Sequence, residues 1–201
     1  MGSYYYLIAQ LPSLVYGQSA PMSSAAFRDL AKNLLNGEDS ALLDLLSLDP
    51  GEPDKSGPAY GESAAPAGCG FIDRWREWER ALRLNLARTR AQRLRRESDA
   101  PVEPPVHPAD AAAVALKAGA TAESPLEAEI FLDKARWNAI EYLEGIDYFS
   151  RNTIYAYLLK LLILERYGAF KEEVGFAEYK SLYASILERA QSGELPVGEP
   201  K

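Results

Sequence analysis

Histidine and cysteine are nearly absent from this chain, and their scarcity excludes several kinds of chemistry. The one cysteine, Cys69, cannot form a disulfide within the chain, and the one histidine, His107, lies in a proline-rich stretch. The sequence contains no CxxC pair, HExxH motif, EF-hand loop or glycine-rich phosphate loop. We therefore predict no metal site, no cofactor and no catalytic residue. A Cys69–His107 nucleophile pair is a minor alternative, because neither residue lies in a segment with predicted fixed geometry.

Long apolar runs are also missing. The longest, 154–164, is interrupted by Lys160, whose stem we expect to snorkel to the surface, and it is too short to span a bilayer. No positive segment precedes the apolar stretch near the start, so we expect no signal peptide. The formal net charge of −7 argues against general binding to nucleic acid or an anionic membrane. These features favour a cytoplasmic protein that has no membrane span. We also expect that it is not an enzyme.

Glycine and proline concentrate in two segments, about 49–70 and 98–123, which we assign to loops or linkers. Within the second, 111–122 is a weak candidate helix. Between them, 71–97 has neither residue and predicts one long helix. Its apolar side chains recur at three- and four-residue steps, so we expect that face to be buried. They are Phe71, Trp75, Trp78, Leu82 and Leu86.

The remaining segments also have helical character. Ser23 or Ser24 can cap a helix over 22–36. Asp39 can cap the short helix that follows it. Ser124, with Pro125 and Glu127, forms a capping box for a helix ending near Gly145. Two more follow, an apolar one over 151–167 and one over 173–191. We predict an all-α bundle of about five to six helices in a single domain over 1–201, with a disordered tail over about 193–201. Only the opening tyrosine run is a candidate strand.

Arginine is crowded into the long helix, which carries nine arginines in an otherwise acidic chain. Arg83 and Arg90 are seven residues apart and share a face. Arg90 also aligns with Leu82, Leu86 and Leu94, so we expect it to be half-buried and paired with a carboxylate. The candidate interaction residues are Arg76, Arg80, Arg83, Arg90 and Arg93.

Three interpretations of this arginine helix remain open. It is a solvated face paired with acidic residues of the same chain, as charge runs usually are. It is a docking face for an acidic partner, because arginine pairs with carboxylates in a directional, bidentate way. Or it binds nucleic acid. The third is the least favoured, because Trp75 and Trp78 belong to the apolar stripe and are not exposed for base stacking.

Three blocks of the sequence resemble one bacterial protein family. They are "YYYLIAQLP" (4–12), "FIDRWREWERALRLNLARTRAQRL" (71–94) and "WNAIEYLEGIDYFSRNTIYAYLLKLLILERY" (137–167). The family consists of uncharacterised proteins encoded among V-type ATPase genes. It is distantly similar to the C subunit of archaeal-type ATPases, called the d subunit in vacuolar ones. The stretch "YAYLLKLLILERY" (155–167) carries the most specific part of the resemblance.

The resemblance implies a non-catalytic, all-helical subunit that is cytoplasmic and peripheral to the membrane. In these rotary machines the C/d subunit joins the rotating axle to the membrane ring, so V-type ATPase subunits are the expected partners. This chain is much shorter than a full C subunit, and its two linkers are not part of that pattern. Replacement of the C subunit and assistance in its assembly both remain open, and a nucleic-acid-binding helical protein is the alternative.

The start of the chain raises a separate question, because chain ends fray unless something holds them. Residues Tyr4–Ala9 are aromatic and apolar. Tyrosine suits a half-buried site, since its ring can be buried while its hydroxyl stays wet. We therefore expect this segment to pack against the C-terminal part of the bundle.

Overall fold

In the computed structural model the described part of the chain is mostly helical. The structure describes residues 2–48, 66–93, 108–121, 124–170 and 183. Within these residues there are seven helices and no strand. The all-α prediction is confirmed, and the number of helices is slightly higher than predicted. The helices are α1 (Gly2–Gln10), α2 (Ser24–Leu34), α3 (Gly37–Asp44), α4 (Gly70–Arg93), α5 (Ala109–Thr121), α6 (Pro125–Glu144) and α7 (Arg151–Ala169).

Two compact units divide the chain, one over residues 1–167 and one over 168–201. The first contains nearly all described residues. Only 168–170 and 183 are described in the second. The predicted helix over 173–191 and the tail over 193–201 lie outside the described residues, and the single-domain assignment stays a prediction.

Helix ends follow the local capping chemistry. The Ser23 and Ser124 hydroxyls each accept a backbone N–H three residues on, which starts α2 and α6 as predicted. Gly145 ends α6 with a φ of +79°, a conformation that glycine adopts without steric cost. The prediction that Asp39 caps α3 is wrong. The Asn36 side chain caps it by accepting the Asp39 N–H at 2.8 Å, because the helix starts three residues earlier than expected.

The second linker is shorter than predicted. Residues 109–121 form α5, so the weak helix within that segment is confirmed and the linker assignment is wrong there. Ala111, Ala115 and Ala118 are buried, and their small side chains let α5 lie close to α4. At Gly119 a Cβ atom would collide with the Cγ2 of Thr89, so any side chain at this position requires Thr89 to shift.

The core is built on α4 and α7. All five residues of the predicted α4 stripe are buried, which confirms it. α7 buries side chains on nearly every side, as its continuous apolar sequence predicts. The buried residues of α7 are Ile154, Tyr155, Ala156, Leu158, Leu159, Leu161, Ile163 and Leu164.

The opening tyrosine run forms α1, a helix and not a strand. Leu7 is fully buried in the core. The ring of Tyr5 stacks on Phe149, just before α7, with 4.4 Å between centroids. The expected packing against the later part of the chain is therefore present for these residues. Tyr6 is an exception, since 63% of it is exposed.

Candidate functional site

The five candidate arginines occupy different environments. Arg83 is held on both sides: its Nε donates to Glu79 at 2.9 Å, and its Nη2 donates to the Leu48 carbonyl at 2.9 Å. Arg90 pairs with Glu129 at 3.7 Å, which confirms a carboxylate partner. The expectation that Arg90 is half-buried is wrong, because 64% of its side chain is exposed. Arg76 and Arg80 are half-buried, and the side chain of Arg93 lies outside the described part.

A buried ion-pair network connects α4, α6 and α7. Arg136 of α6 donates from Nη2 to the Oε1 of Glu79 on α4 at 3.1 Å, and from Nη1 to the Oδ1 of Asp133 at 3.0 Å. Arg166 of α7 reaches the same Asp133 oxygen from Nη2 at 2.6 Å. Asp133 is fully buried, and Glu79 and Arg136 are each 6% exposed.

Burial and neighbouring charges act against each other on the ionisation of this network. Burial raises the pKa of Asp133 above its usual value, although Arg166 and Arg136 each lower it. Burial also lowers the pKa of Arg136, but Glu79 and Asp133 outweigh it, so the net shift is upward. The guanidinium and carboxylate groups satisfy one another, so the network links α4, α6 and α7 within the core.

Sequence reasoning missed this network although a signal for it was present. Arg136 lies four residues after buried Leu132 and four before buried Ile140, so it interrupts an apolar line on α6. On α4, Glu79 lies four residues after buried Trp75 and three residues before buried Leu82, so it interrupts an apolar line there as well. A charged residue on the buried line of each of two helices is the pattern expected of a pair that meets in the core.

A third buried carboxylate, Asp39, anchors α1 and α7. The Tyr4 hydroxyl donates to its Oδ2, and the Tyr155 hydroxyl donates to its Oδ1 at 3.2 Å. Arg151 Nη1 lies 3.8 Å from Oδ1. Burial, reinforced by the negative charge of Asp39, raises the pKa of Tyr155. The hydrogen bond to Asp39, together with burial, likewise raises the pKa of Tyr4, and Asp39 is 3% exposed.

Alkaline pH is expected to destabilise the fold. Burial raises the pKa of Tyr157, whose hydroxyl donates to the Pro12 carbonyl at 2.9 Å, to about 12. The unfolded chain then loses this proton first, near its ordinary pKa of 10.0. The contribution of Tyr157 to stability is therefore complete below pH 10 and falls as pH rises towards 12.

Urea unfolding at a series of pH values between 8 and 12 measures this dependence. The Tyr157→Phe variant is the control, and its stability should fall less steeply over that range. Equal slopes for the two proteins would contradict the assignment.

The sequence analysis also singled out Lys160, Cys69 and His107. Lys160 does not extend freely to solvent: its Nζ pairs with Glu144 at 2.8 Å, and its side chain is 14% exposed, so the snorkelling prediction is wrong. Cys69 is buried. His107 lies outside the described residues, so the Cys69–His107 alternative is not tested. The described residues hold no group of three or more His, Cys, Asp or Glu side chains that could bind a metal ion.

Exposed apolar side chains concentrate at the turn between α6 and α7 and on the neighbouring α1. Ile146 is 92% exposed and Tyr142 86%. The stacked rings of Tyr5 and Phe149 join the two segments. Exposed apolar surface that gathers in one place typically marks an interaction site. We call this set the aromatic patch; it consists of Tyr5, Tyr6, Tyr142, Ile146, Tyr148 and Phe149.

Sequence reasoning did not identify the aromatic patch, because tyrosine and isoleucine in a helical protein are equally compatible with its core. The only local signal is Gly145, which ends α6 and places Ile146 and Tyr148 in a turn. Turn positions are exposed more often than helix positions.

Comparisons with known proteins complete the description. None of the described helices is long and apolar enough to cross a membrane. Models of known protein families, curated proteins and solved structures were all compared with this chain, and none matches it.

Proposed function

We propose that this protein is a non-catalytic accessory or central-stalk-like subunit of a V-type rotary ATPase, similar to the C/d subunit, and that it acts through protein–protein contacts. One observation carries the proposal. All six residues of the aromatic patch lie in two of the three blocks that resemble the ATPase-associated family, 4–12 and 137–167. The fold does not need these side chains in its core, so their exposure favours a partner.

The way the three blocks fit together supports the same proposal. The first block forms most of α1, the second α4, and the third the end of α6 with α7. Glu79 and Arg136 lie in or next to the second and third blocks and pair in the core. Tyr5 and Phe149 join the first and third at the surface. The resembling blocks therefore contribute both the framework and the exposed patch.

The proposal places the protein in the cytoplasm, attached to the membrane only through the ATPase complex. Its partners would be subunits on the axle side or on the membrane-ring side. It carries out no reaction and holds no cofactor in this account. Exposed aromatic side chains suit such a role, because tyrosine supplies large contact area at a small cost in conformational entropy.

The arginine helix contributes a second, smaller contact in this proposal. Arg90 is the best placed of the five candidates, since most of its side chain is exposed and Glu129 lies at 3.7 Å. Arg83 is the least suited, because Glu79 and the Leu48 carbonyl already hold it. We therefore assign Arg83 a structural part and Arg90 a part in docking; Arg76 and Arg80 are half-buried and fall between them, and Arg93 stays a candidate from the sequence alone.

Affinity purification from the native cells tests this function. The tagged protein is isolated under mild detergent and its companions are identified by mass spectrometry. We expect V-type ATPase subunits with the wild-type chain, and at least a tenfold lower yield with the Ile146→Asp, Tyr148→Asp double variant, because two charges would have to be buried at the contact.

The matched control is Val15→Asp with Leu45→Asp, which adds the same charge at exposed apolar positions outside the aromatic patch. It should retain the ATPase subunits. Recovery of the wild-type protein alone, or with nucleic acid, would contradict the proposal, and the second result would favour a nucleic-acid-binding role for the arginines.

A further inference from the structure

The aromatic patch is assembled from two segments that are far apart in the sequence. Tyr5 and Tyr6 belong to α1, and the other four residues lie between 142 and 149. The ring of Tyr5 stacks on that of Phe149 with 4.4 Å between centroids and 16° between planes, and this contact joins the two segments. A helix of nine residues is unstable on its own, so further contacts have to hold α1 at this place.

The half of the patch contributed by the turn between α6 and α7 is fixed by hydrogen bonds of its own. The Asp147 carbonyl accepts the hydroxyls of Ser150 at 3.0 Å and Thr153 at 3.1 Å. The Oδ1 of the same residue accepts the Phe149 N–H at 3.1 Å. These bonds lie within the turn and the first residues of α7, so Tyr148 and Phe149 are held without help from α1.

The half contributed by α1 is held by burial and by a hydrogen bond to Asp39. Leu7 is fully buried, but hydrophobic contacts are not directional, so they do not fix the rotation of the helix. The Tyr4 hydroxyl donates to the Oδ2 of Asp39, and a hydrogen bond weakens steeply when its geometry is distorted. Because Tyr4 directly precedes Tyr5, this bond sets which side of α1 faces Phe149.

The same carboxylate reaches the other segment through α7. The Tyr155 hydroxyl donates to its Oδ1 at 3.2 Å, and the Nη1 of Arg151 lies 3.8 Å from that oxygen. α7 begins at Arg151, two residues after Phe149. Asp39 is 3% exposed, so the loss of one hydrogen bond leaves a buried oxygen that water replaces poorly. One buried residue therefore connects the two segments that carry the exposed patch.

We propose that Asp39 is the positioning residue of the aromatic patch: it holds α1 so that Tyr5 and Tyr6 complete the docking surface presented by the turn. The use of the patch for docking rests on the proposed function, whereas the positioning of α1 does not. A surface that is already ordered binds its partner more tightly, because less conformational freedom is lost on association. Asp39 thus controls the affinity of a partner that it does not touch.

Hydrogen exchange of the purified protein, without a partner, tests the positioning. Tyr4→Phe keeps the ring and removes the hydroxyl. The hydrogen-bonded amides of α1 should then exchange at least tenfold faster, because a bond to a charged acceptor is lost. Asp39→Ala should have a larger effect. Nuclear Overhauser contacts between the Tyr5 and Phe149 rings should weaken in both variants, while the amides of α4 exchange at the wild-type rate.

Glu38→Ala is the matched control, because it removes an exposed carboxylate from the same first turn of α3. It should leave the exchange of α1 unchanged. Two results would overturn the inference: wild-type exchange of α1 in Tyr4→Phe, or an equal increase in every helix, which a purely structural role predicts. If Asp39→Ala does not fold, Tyr4→Phe alone decides between these outcomes.

Binding to isolated V-type ATPase, measured by biolayer interferometry, tests the consequence for docking. Asp39→Ala should bind at least fivefold more weakly than the wild type, and Glu38→Ala should bind equally well. When Tyr5 and Tyr6 are both replaced by alanine, adding Asp39→Ala should weaken binding less than twofold further, because the residues that it positions are gone. An equal loss in both backgrounds would overturn the inference. Absence of wild-type binding would contradict the proposed function instead, and the exchange of α1 would still decide the positioning.

Discussion

Replacing Arg136 with alanine is expected to lower the free energy of unfolding by about 3–5 kcal/mol, the usual cost of removing one partner from a buried ion pair. Arg136 is 6% exposed, and it pairs with Glu79 and Asp133, which are 6% and 0% exposed. Its removal leaves Glu79 without that cation and leaves Asp133 with Arg166 alone. Urea unfolding followed by circular dichroism measures the loss.

Two further variants make the Arg136 result specific. Arg74→Ala is the matched control on an exposed position, and its stability should stay within about 0.5 kcal/mol of the wild type. The double variant Arg136→Ala, Glu79→Ala should lose less than the sum of the two single variants, because each single change leaves the other charge buried. Additive losses, or a loss below about 1 kcal/mol for Arg136→Ala, would contradict the assigned role of the network.

Replacing Leu7 with alanine is expected to destabilise the protein by about 2–5 kcal/mol, although this residue lies only six positions after Met1. Leu7 is fully buried, so its truncation leaves a cavity that the surrounding helices fill only in part. For a domain of this size the melting temperature should fall by about 4–20 °C. Thermal unfolding monitored by circular dichroism gives the value.

The neighbours of Leu7 on α1 separate burial from simple position. Tyr6→Ala changes an exposed side chain and should leave the melting temperature nearly unchanged. Deletion of residues 1–11 should exceed the effect of Leu7→Ala, because it also removes the Tyr4 hydroxyl that donates to the buried Asp39. An unchanged melting temperature after that deletion would show that α1 does not stabilise the bundle.

Local signals in the sequence were sufficient to predict helix ends and core positions where a residue type or spacing has one common structural role. Ser124 and Gly145 correctly marked the two ends of α6. Only a few residue types can cap a helix with the side chain, and only a few adopt a positive φ. The five apolar residues of α4 were correctly assigned to the core, since their spacing matches one helix face.

The sequence was less informative where tertiary contacts decide the outcome. Residues 109–121 follow a proline-rich stretch and resembled a linker, but packing against α4 stabilises them as α5. Arg90 and Arg83 share a face by spacing, yet one is mostly exposed and the other is held by Glu79. The aromatic patch could not be told from core, because helical periodicity does not show which apolar residues lack a neighbouring helix.

Binding of the purified protein to isolated V-type ATPase, measured by biolayer interferometry, tests the central claim most directly. The account predicts saturable binding by the wild type. It predicts at least tenfold weaker binding by the Ile146→Asp, Tyr148→Asp variant, with an unchanged melting temperature, because both side chains are exposed. Absence of wild-type binding, or equal binding by the variant, would contradict it.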